Sequence, residues 1–192
     1  MYKKLPVFSA VIIEIIFIFN SIKSIIENNK KNLSLSILGF VSIIIPFIIS
    51  HLASKKELHL PKSFNFIFVW FLFLTQYLGE IHTFYTKYWW WDLAMHGFFG
   101  IYAVIIAIHL VKHINRKDVK VTKNRFYLFE SIFAFTFALA LGVLWEIFEF
   151  SGDFILSTGM IKGGLEDTMT DLIAKAAFAL ITSAYYYIKN KV

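Results

Sequence analysis

The sequence predicts an all-α, polytopic membrane protein whose six transmembrane helices form a single integral membrane domain, residues 1–192. The first reason is composition: 58% of the 192 residues are hydrophobic, whereas soluble domains contain about 45–50% apolar residues. The second reason is pattern, because the charged residues lie between long apolar runs, and a helix needs ~20 apolar residues to cross a bilayer. Six such runs cover residues 6–27, 33–52, 64–85, 92–113, 126–152 and 166–188.

The first apolar run resembles the start of a secretory signal, since Lys3 and Lys4 precede it. Glu14 interrupts the run, however, and no small-residue cleavage motif follows it. We therefore expect an uncleaved first span. The chain has no cysteine, which excludes disulfides and thiolate metal sites.

The basic residues predict how the spans are oriented. When the chain is threaded through six spans, 13 of the 19 Lys and Arg residues fall on one side and five on the other, while Lys175 lies within the sixth span. Cytoplasmic loops carry the excess of Lys and Arg. We therefore expect a multi-pass protein of the bacterial cytoplasmic membrane, with both termini in the cytoplasm.

The net charge of +6 follows from this topology, so no nucleic-acid partner is expected. The partners expected are membrane lipids, because the basic loop at residues 112–125 is suited to anionic headgroups. The sequence does not determine the oligomeric state.

The acidic residues gather at one side of the predicted bundle. Eight of the 13 lie at the outer ends of four spans that are separate in sequence. The direction of each span was assigned from Lys and Arg alone, so this clustering is an independent signal. The eight residues are Glu80, Asp92, Glu146, Glu149, Asp153, Glu166, Asp167 and Asp171.

Polar residues also recur at helical spacing within three of these spans. Residues three, four, seven or eight positions apart share one face of a helix, so each set forms a stripe that reaches inward from the span end. A polar pocket open to the outside would explain such stripes. The sets are Asp92 with His96, then Glu146 with Glu149 and Asp153, then Asp167 with Asp171 and Lys175.

Neighbouring carboxylates repel unless a proton or a cation lies among them. Several carboxylate oxygens with one imidazole form a ligand set suited to a divalent Zn, Mn, Fe or Mg ion. We therefore expect Asp92, His96, Asp167 and Asp171 to be metal ligands and Glu149 and Glu146 to be catalytic carboxylates, with Glu149 as general base. Further pocket candidates are Asp153, Glu80 and Lys175.

A structural explanation competes with this one. Acids at helix N-termini stabilise the helix dipole, and Asp171 with Lys175 is suited to a simple i, i+4 ion pair. This explanation does not cover Glu146 and Glu149, which lie near a helix C-terminus, where negative charge is unfavourable.

Three functions remain open at this stage, and the sequence does not decide whether the protein is an enzyme. The pocket favours a metal-dependent enzyme that hydrolyses the headgroup of a lipid or a cell-envelope precursor. The alternatives are a proton- or cation-coupled transporter, in which Glu14 or Lys175 would act as a relay, and a non-catalytic scaffold. His109 and His113 are also four residues apart, but we expect them to lie at the basic cytoplasmic interface.

Three motifs, "WDLAMHGFFG", "LWEIFEF" and "GGLEDTMTDLI", resemble the YjdF-like family of uncharacterised bacterial integral membrane proteins. The resemblance covers roughly residues 35–188. More distantly the chain is similar to VanZ-like membrane proteins, which also place Asp, His and Glu at span ends. The resemblance implies a membrane protein without implying an activity. The family's polar residues, carried over by position, are Asp92, His96, Glu146, Glu149, Asp167 and Asp171.

The sequence departs from the family pattern at two places. Gly97 and Phe98 stand where Gln-Gly often follows the histidine. Lys175 stands where a neutral or acidic residue is expected, which places a cation inside a region otherwise rich in carboxylates.

The topology is tested by single cysteines, because the native chain has none. In intact cells, Lys31→Cys, Tyr88→Cys and Lys162→Cys should react with an impermeant thiol reagent, whereas His59→Cys and Val119→Cys should react only after the membrane is permeabilised. Labelling of Val119→Cys from outside would contradict the orientation and, with it, the argument from clustered acids.

Overall fold

The computed structural model of the protein is all-helical over the residues that it describes, 4–112, 121–161 and 163–191. The predicted all-α class is therefore confirmed. Lys3, His113, Lys162 and most of the predicted basic loop lie outside the described residues. The helices are α1 (Leu5–Ile26), α2 (Lys30–Lys55), α3 (Phe64–Leu72, continued as a π-helix over Phe73–Ile81), α4 (Phe84–Lys87), α5 (Trp89–Lys112), α6 (Lys123–Leu156) and α7 (Leu165–Asn190).

Five helices in the described part of the chain are long and apolar enough to cross a membrane. They correspond to the first five predicted spans. The sixth predicted span coincides with α7, which is helical over 26 residues but is not among the five, since acidic residues and Lys175 occupy its N-terminal half. Whether α7 completes a six-span topology remains a prediction. The five helices are Leu5–Ile26, Lys30–Lys55, Phe64–Ile81, Trp89–Lys112 and Lys123–Leu156.

Large apolar side chains cover the outer faces of these helices. Phe19 is 70% exposed, Ile26 80% and Phe154 82%, and similar residues line α1, α2 and α6 along their lengths. Soluble monomers rarely expose such continuous apolar surface. In a bilayer the same faces contact lipid tails, while the helical hydrogen bonds satisfy the backbone. The surface thus agrees with a membrane protein.

The described chain divides into two compact units, and helices α5 and α6 each run without a break from one into the other. The units are therefore not consecutive segments joined by a linker. Unit 1 comprises Met1–Glu57, Lys62–Asp92 and Phe148–Lys162, and unit 2 comprises Leu58–Pro61, Leu93–Ile147 and Gly163–Val192.

Unit 1 is held together by the packing of α1 against α2 and of both helices against α3, whose π-helical continuation lies against α2. Phe17, which is fully buried, contacts Gly39 of α2 because that residue has no side chain to exclude the ring. The same ring meets the edge of Tyr77 at a centroid distance of 6.0 Å. Asn20 donates a hydrogen bond to the Ser36 hydroxyl at 2.7 Å, so the polar groups between α1 and α2 satisfy each other.

The π-helix over Phe73–Ile81 was not predicted by the apolar run that contains it. Its wider turn is visible at the C-terminal end, where the His82 amide donates to the Tyr77 carbonyl five residues earlier at 3.0 Å. Gly79 lies against the ring of Tyr85. Such π segments are rare in α-helices and are frequent at functional sites. Here the segment buries Thr75, Gln76, Gly79 and Glu80.

Unit 2 consists mainly of α5, the first three quarters of α6, and α7, packed through small residues. Its core contains Ala103 and Ala107 of α5, Ala134 and Ala138 of α6, and Ala179 of α7, none more than 3% exposed. Small side chains let helix backbones approach closely, which is how transmembrane helices gain packing energy. The closest approach is at Gly100, where an added Cβ would lie 2.5 Å from the carbonyl oxygen of Lys175.

Replacing Gly100 by alanine should therefore force α7 away from α5, because the obstacle is backbone and not a flexible side chain. We expect Gly100→Ala to lower stability by about 1–3 kcal/mol, as overpacking typically does, and to lower the thermal midpoint in detergent. Gly142→Ala is the matched control, since its Cβ would meet side-chain atoms of Lys175 and Leu172, the nearest at 3.3 Å, and no backbone atom, and should cost less. Equal midpoints for the two variants would contradict the close contact.

Candidate metal site

Unit 2 buries four ionisable side chains at the same end of its helices. His96 of α5 is 4% exposed, Glu146 of α6 7%, and Asp171 and Lys175 of α7 are 6% and 1% exposed. Lys, Glu and Asp are almost never fully buried unless they are paired. These four side chains contact one another, and we call them the polar quartet.

The quartet is connected by short contacts. The His96 ring nitrogen Nε2 lies 3.2 Å from Asp171 Oδ2. The ammonium group of Lys175 donates a hydrogen bond to Glu146 Oε1. A carboxylate oxygen of Glu146 lies within 4.8 Å of one of Asp171. The quartet thus consists of the Lys175–Glu146 ion pair and the His96–Asp171 contact. The two carboxylates lie next to each other and connect these contacts.

Helix geometry places residues that are distant in sequence two to three turns inside their helices. His96 lies seven residues after the start of α5 and Asp171 six residues after the start of α7, so both are roughly 10 Å along their helices at 1.5 Å per residue. Glu146 lies ten residues before the end of α6, roughly 15 Å along it. Gly97 lies against the ring of Phe178, with an added Cβ only 2.8 Å away, which keeps α5 close to α7 beside His96.

Two further predicted residues lie one helical turn from the quartet on continuous helices. Asp92 precedes His96 on α5 and Glu149 follows Glu146 on α6; both are half-buried. In each pair, ligand atoms of the two side chains lie within 4.8 Å of each other. Exposure therefore increases from the quartet toward the helix ends.

The other acidic residues that were predicted to lie at the outer span ends differ from the quartet in burial or location. Asp167 is half-buried in the first turn of α7, one turn before Asp171, and its Cβ packs beside Gly163. Glu166 is exposed. Glu80 is buried within the π-helix of unit 1.

Asp153 organises the turn that follows α6 in unit 1. Its carboxylate accepts hydrogen bonds from the Thr158 hydroxyl at 2.6 Å, from the Met160 amide at 2.6 Å and from the Ile161 amide at 2.9 Å. Such local bonds from an aspartate side chain to nearby amides are typical of turns. Both oxygens of Asp153 therefore bind the loop, which gives this residue a structural role.

One buried carboxylate was not predicted as a site residue. Glu130 of α6 is fully buried in unit 2, and the Tyr186 hydroxyl of α7 donates to its Oε2 at 2.8 Å. The signal available in the sequence was a single acid inside an apolar run, "LFESIF". On α5, the Nδ1 atom of His109 lies 2.9 Å from the carbonyl oxygen of Ile105, so this histidine contacts its own helix.

The contacts of His96 and Asp171 suit a divalent ion. Ligand atoms lie about 2.0–2.6 Å from such an ion, so two ligands on one ion lie roughly 3–4 Å apart. The 3.2 Å separation of His96 Nε2 and Asp171 Oδ2 falls in that range. Asp92 provides a third oxygen one turn away on α5.

Residues 6–191 match the model of a family described as "Predicted membrane protein (DUF2238)". The chain belongs to this family. A DUF2238 assignment agrees with the YjdF-like resemblance and confirms that the protein is a membrane protein.

An uncharacterized protein of Thermotoga maritima is 33% identical to this DUF2238 chain over 105 residues, which is 53% of this chain and 50% of the relative. The chain thus spans about half the length of that relative. No solved structure matches the chain.

The ion pair between Lys175 and Glu146 of this DUF2238 protein can be tested by a double-mutant cycle. Glu146→Gln or Lys175→Met alone leaves one buried charge without its counter-charge, and each should cost about 3–5 kcal/mol. The double variant removes both charges and should cost clearly less than the sum. Additive effects on the unfolding free energy in detergent would show that the two residues do not interact.

Proposed function

We propose that this DUF2238 protein binds a divalent metal ion at His96 and Asp171, with Asp92 as a further ligand. The observation that carries the proposal is the buried contact of 3.2 Å between His96 Nε2 and Asp171 Oδ2, beside a second buried carboxylate, Glu146. The residues supply imidazole nitrogen and carboxylate oxygen only. This set is suited to Zn²⁺, Mn²⁺ or Fe²⁺, and less to Mg²⁺, since imidazole is a poor ligand for Mg²⁺.

The site belongs, on this proposal, to the outer side of a six-span protein of the cytoplasmic membrane, in which α7 is the sixth crossing and both termini are cytoplasmic. The distribution of Lys and Arg supports this orientation. Trp89, at the start of α5, is 85% exposed, as expected for an aromatic residue at a membrane interface. A distant relation to VanZ-like proteins remains part of the proposal.

The chemistry that fits is metal-assisted hydrolysis of the headgroup of a lipid or a lipid-linked envelope precursor. A bound divalent ion lowers the pKa of its water and polarises a phosphoryl or carbonyl oxygen. Glu149 is half-buried one turn from Glu146 and is placed to take a proton as general base. Asp167, nearer the start of α7, is placed as an additional ligand on the accessible side.

A cation-coupled transporter using the same residues is the main alternative, and a non-catalytic scaffold is the other. Transport through unit 2 would need a polar path past the quartet. In the part of unit 2 that the structure describes, alanines of all three helices pack below it: Ala103, Ala107, Ala134, Ala138 and Ala179. This apolar layer favours a site reached from one side only.

Metal content tests the proposal. Protein purified in detergent, dialysed against Zn²⁺ or Mn²⁺ and then analysed by elemental mass spectrometry should contain bound ion, and His96→Ala should weaken binding by about 10-fold or more, because it removes a direct ligand. His109→Ala is the matched control, since it removes a histidine from the same helix roughly 20 Å away. Equal metal contents for the two variants would contradict the site.

The variant Glu149→Gln tests whether Glu149 acts as the general base or as a metal ligand. It should retain the ion and abolish metal-dependent hydrolysis of headgroups in vesicles made from bacterial phospholipid extract. Loss of the ion together with the activity would assign Glu149 to the ligand set instead.

A further inference from the structure

Lys175 has no role in the proposed hydrolysis, yet it is the most deeply buried charged residue of the quartet, at 1% exposure. Its position is fixed from three directions. The carbonyl oxygen lies against Gly100 of α5, the side-chain methylenes lie against Gly142 of α6, and the ammonium group contacts Glu146. A lysine held this way places a positive charge at one defined point.

That point lies between carboxylates which otherwise could hold an ion. Glu146 and Asp171 have oxygens within 4.8 Å of each other, and on α6 Glu149 has an oxygen within 4.8 Å of one of Glu146. Asp171 also contacts His96, through Oδ2 at 3.2 Å. Asp171 is therefore placed to serve two neighbouring cation positions, one toward His96 and one toward Glu146.

We propose that the ammonium group of Lys175 occupies the second of these positions, so that the site takes a single divalent ion, at His96 and Asp171. This inference rests on the proposed function. An ammonium is a compact point charge with three hydrogen-bond donors, and it satisfies Glu146 as a metal ion would. A divalent ion bound at Glu146 would lie beside this fixed positive charge and would be repelled. Lys175 thus sets the number of ions that the pocket accepts.

Removing the charge should open the second position. Lys175→Met and Lys175→Gln both delete the ammonium group, and the glutamine retains a donor for Glu146. In each variant, Glu146 and Glu149 become free to bind an ion that also approaches Asp171. Lys175→Arg retains the charge and is the matched control.

The experiment is equilibrium dialysis of detergent-purified protein against Mn²⁺, with ions per chain measured by elemental mass spectrometry. Wild type and Lys175→Arg should bind one ion, and Lys175→Met and Lys175→Gln should bind two. Adding Glu146→Gln to Lys175→Met should return the count to one. In chelator, Lys175→Met should have a lower thermal midpoint than wild type, and Mn²⁺ should raise it by more than it raises that of wild type.

The outcomes separate the two proposals. If both neutral variants are folded and still bind one ion, Lys175 does not occupy a cation position and the inference is overturned. A second outcome is that wild type binds no ion, that Lys175→Gln binds one, and that adding Glu146→Gln to this variant abolishes the binding. The metal function of the native protein then fails, but the assignment of Lys175 holds. If no variant binds an ion, both fail.

Discussion

A charge inside a membrane protein needs an opposite charge or a strong hydrogen-bond partner, and the polar quartet is where this protein meets that requirement. Placing a charged residue at the centre of a membrane helix costs about 2.5–3.5 kcal/mol on insertion scales, and a buried ion that loses its partner costs about 3–5 kcal/mol. The carboxylates of Glu146 and Asp171 are stabilised by Lys175 and His96. The arrangement of α5, α6 and α7 depends on keeping these four groups in contact.

The small residues of unit 2 make that contact sterically achievable. The short side-chain reach of Asp171 requires α7 to lie close to α5, and Gly97 and Gly100 remove the side chains that would prevent it. Alanines continue the close packing below the quartet. The polar quartet therefore lies at one end of the unit, and these alanines separate it from the buried Glu130–Tyr186 pair. This separation is the reason for proposing a one-sided chemical site over a transport path.

Much of this architecture could be predicted from sequence because its causes are local. Apolar runs of about 20 residues specify where helices lie, and helical spacing correctly placed Asp92 with His96 and Glu146 with Glu149 on common faces. Contacts between side chains of different helices could not be predicted in this way. The spacing of Lys175 suited an i, i+4 pair with Asp171 on the same helix, but its ammonium group contacts Glu146 on another helix, since packing decides which of two carboxylates lies nearer. The π-helix and the turn around Asp153 depend on hydrogen bonds that leave no periodic signal.

The coordination of a bound ion tests the central claim most directly. Mn²⁺ is paramagnetic, so pulsed electron paramagnetic resonance of the Mn²⁺-loaded protein detects a directly bound imidazole through its nitrogen coupling. Wild type should show a single coupled imidazole, which should be absent in His96→Gln and unchanged in His109→Gln. A spectrum without nitrogen coupling in wild type, or a coupling that persists in His96→Gln, would contradict a metal site at His96.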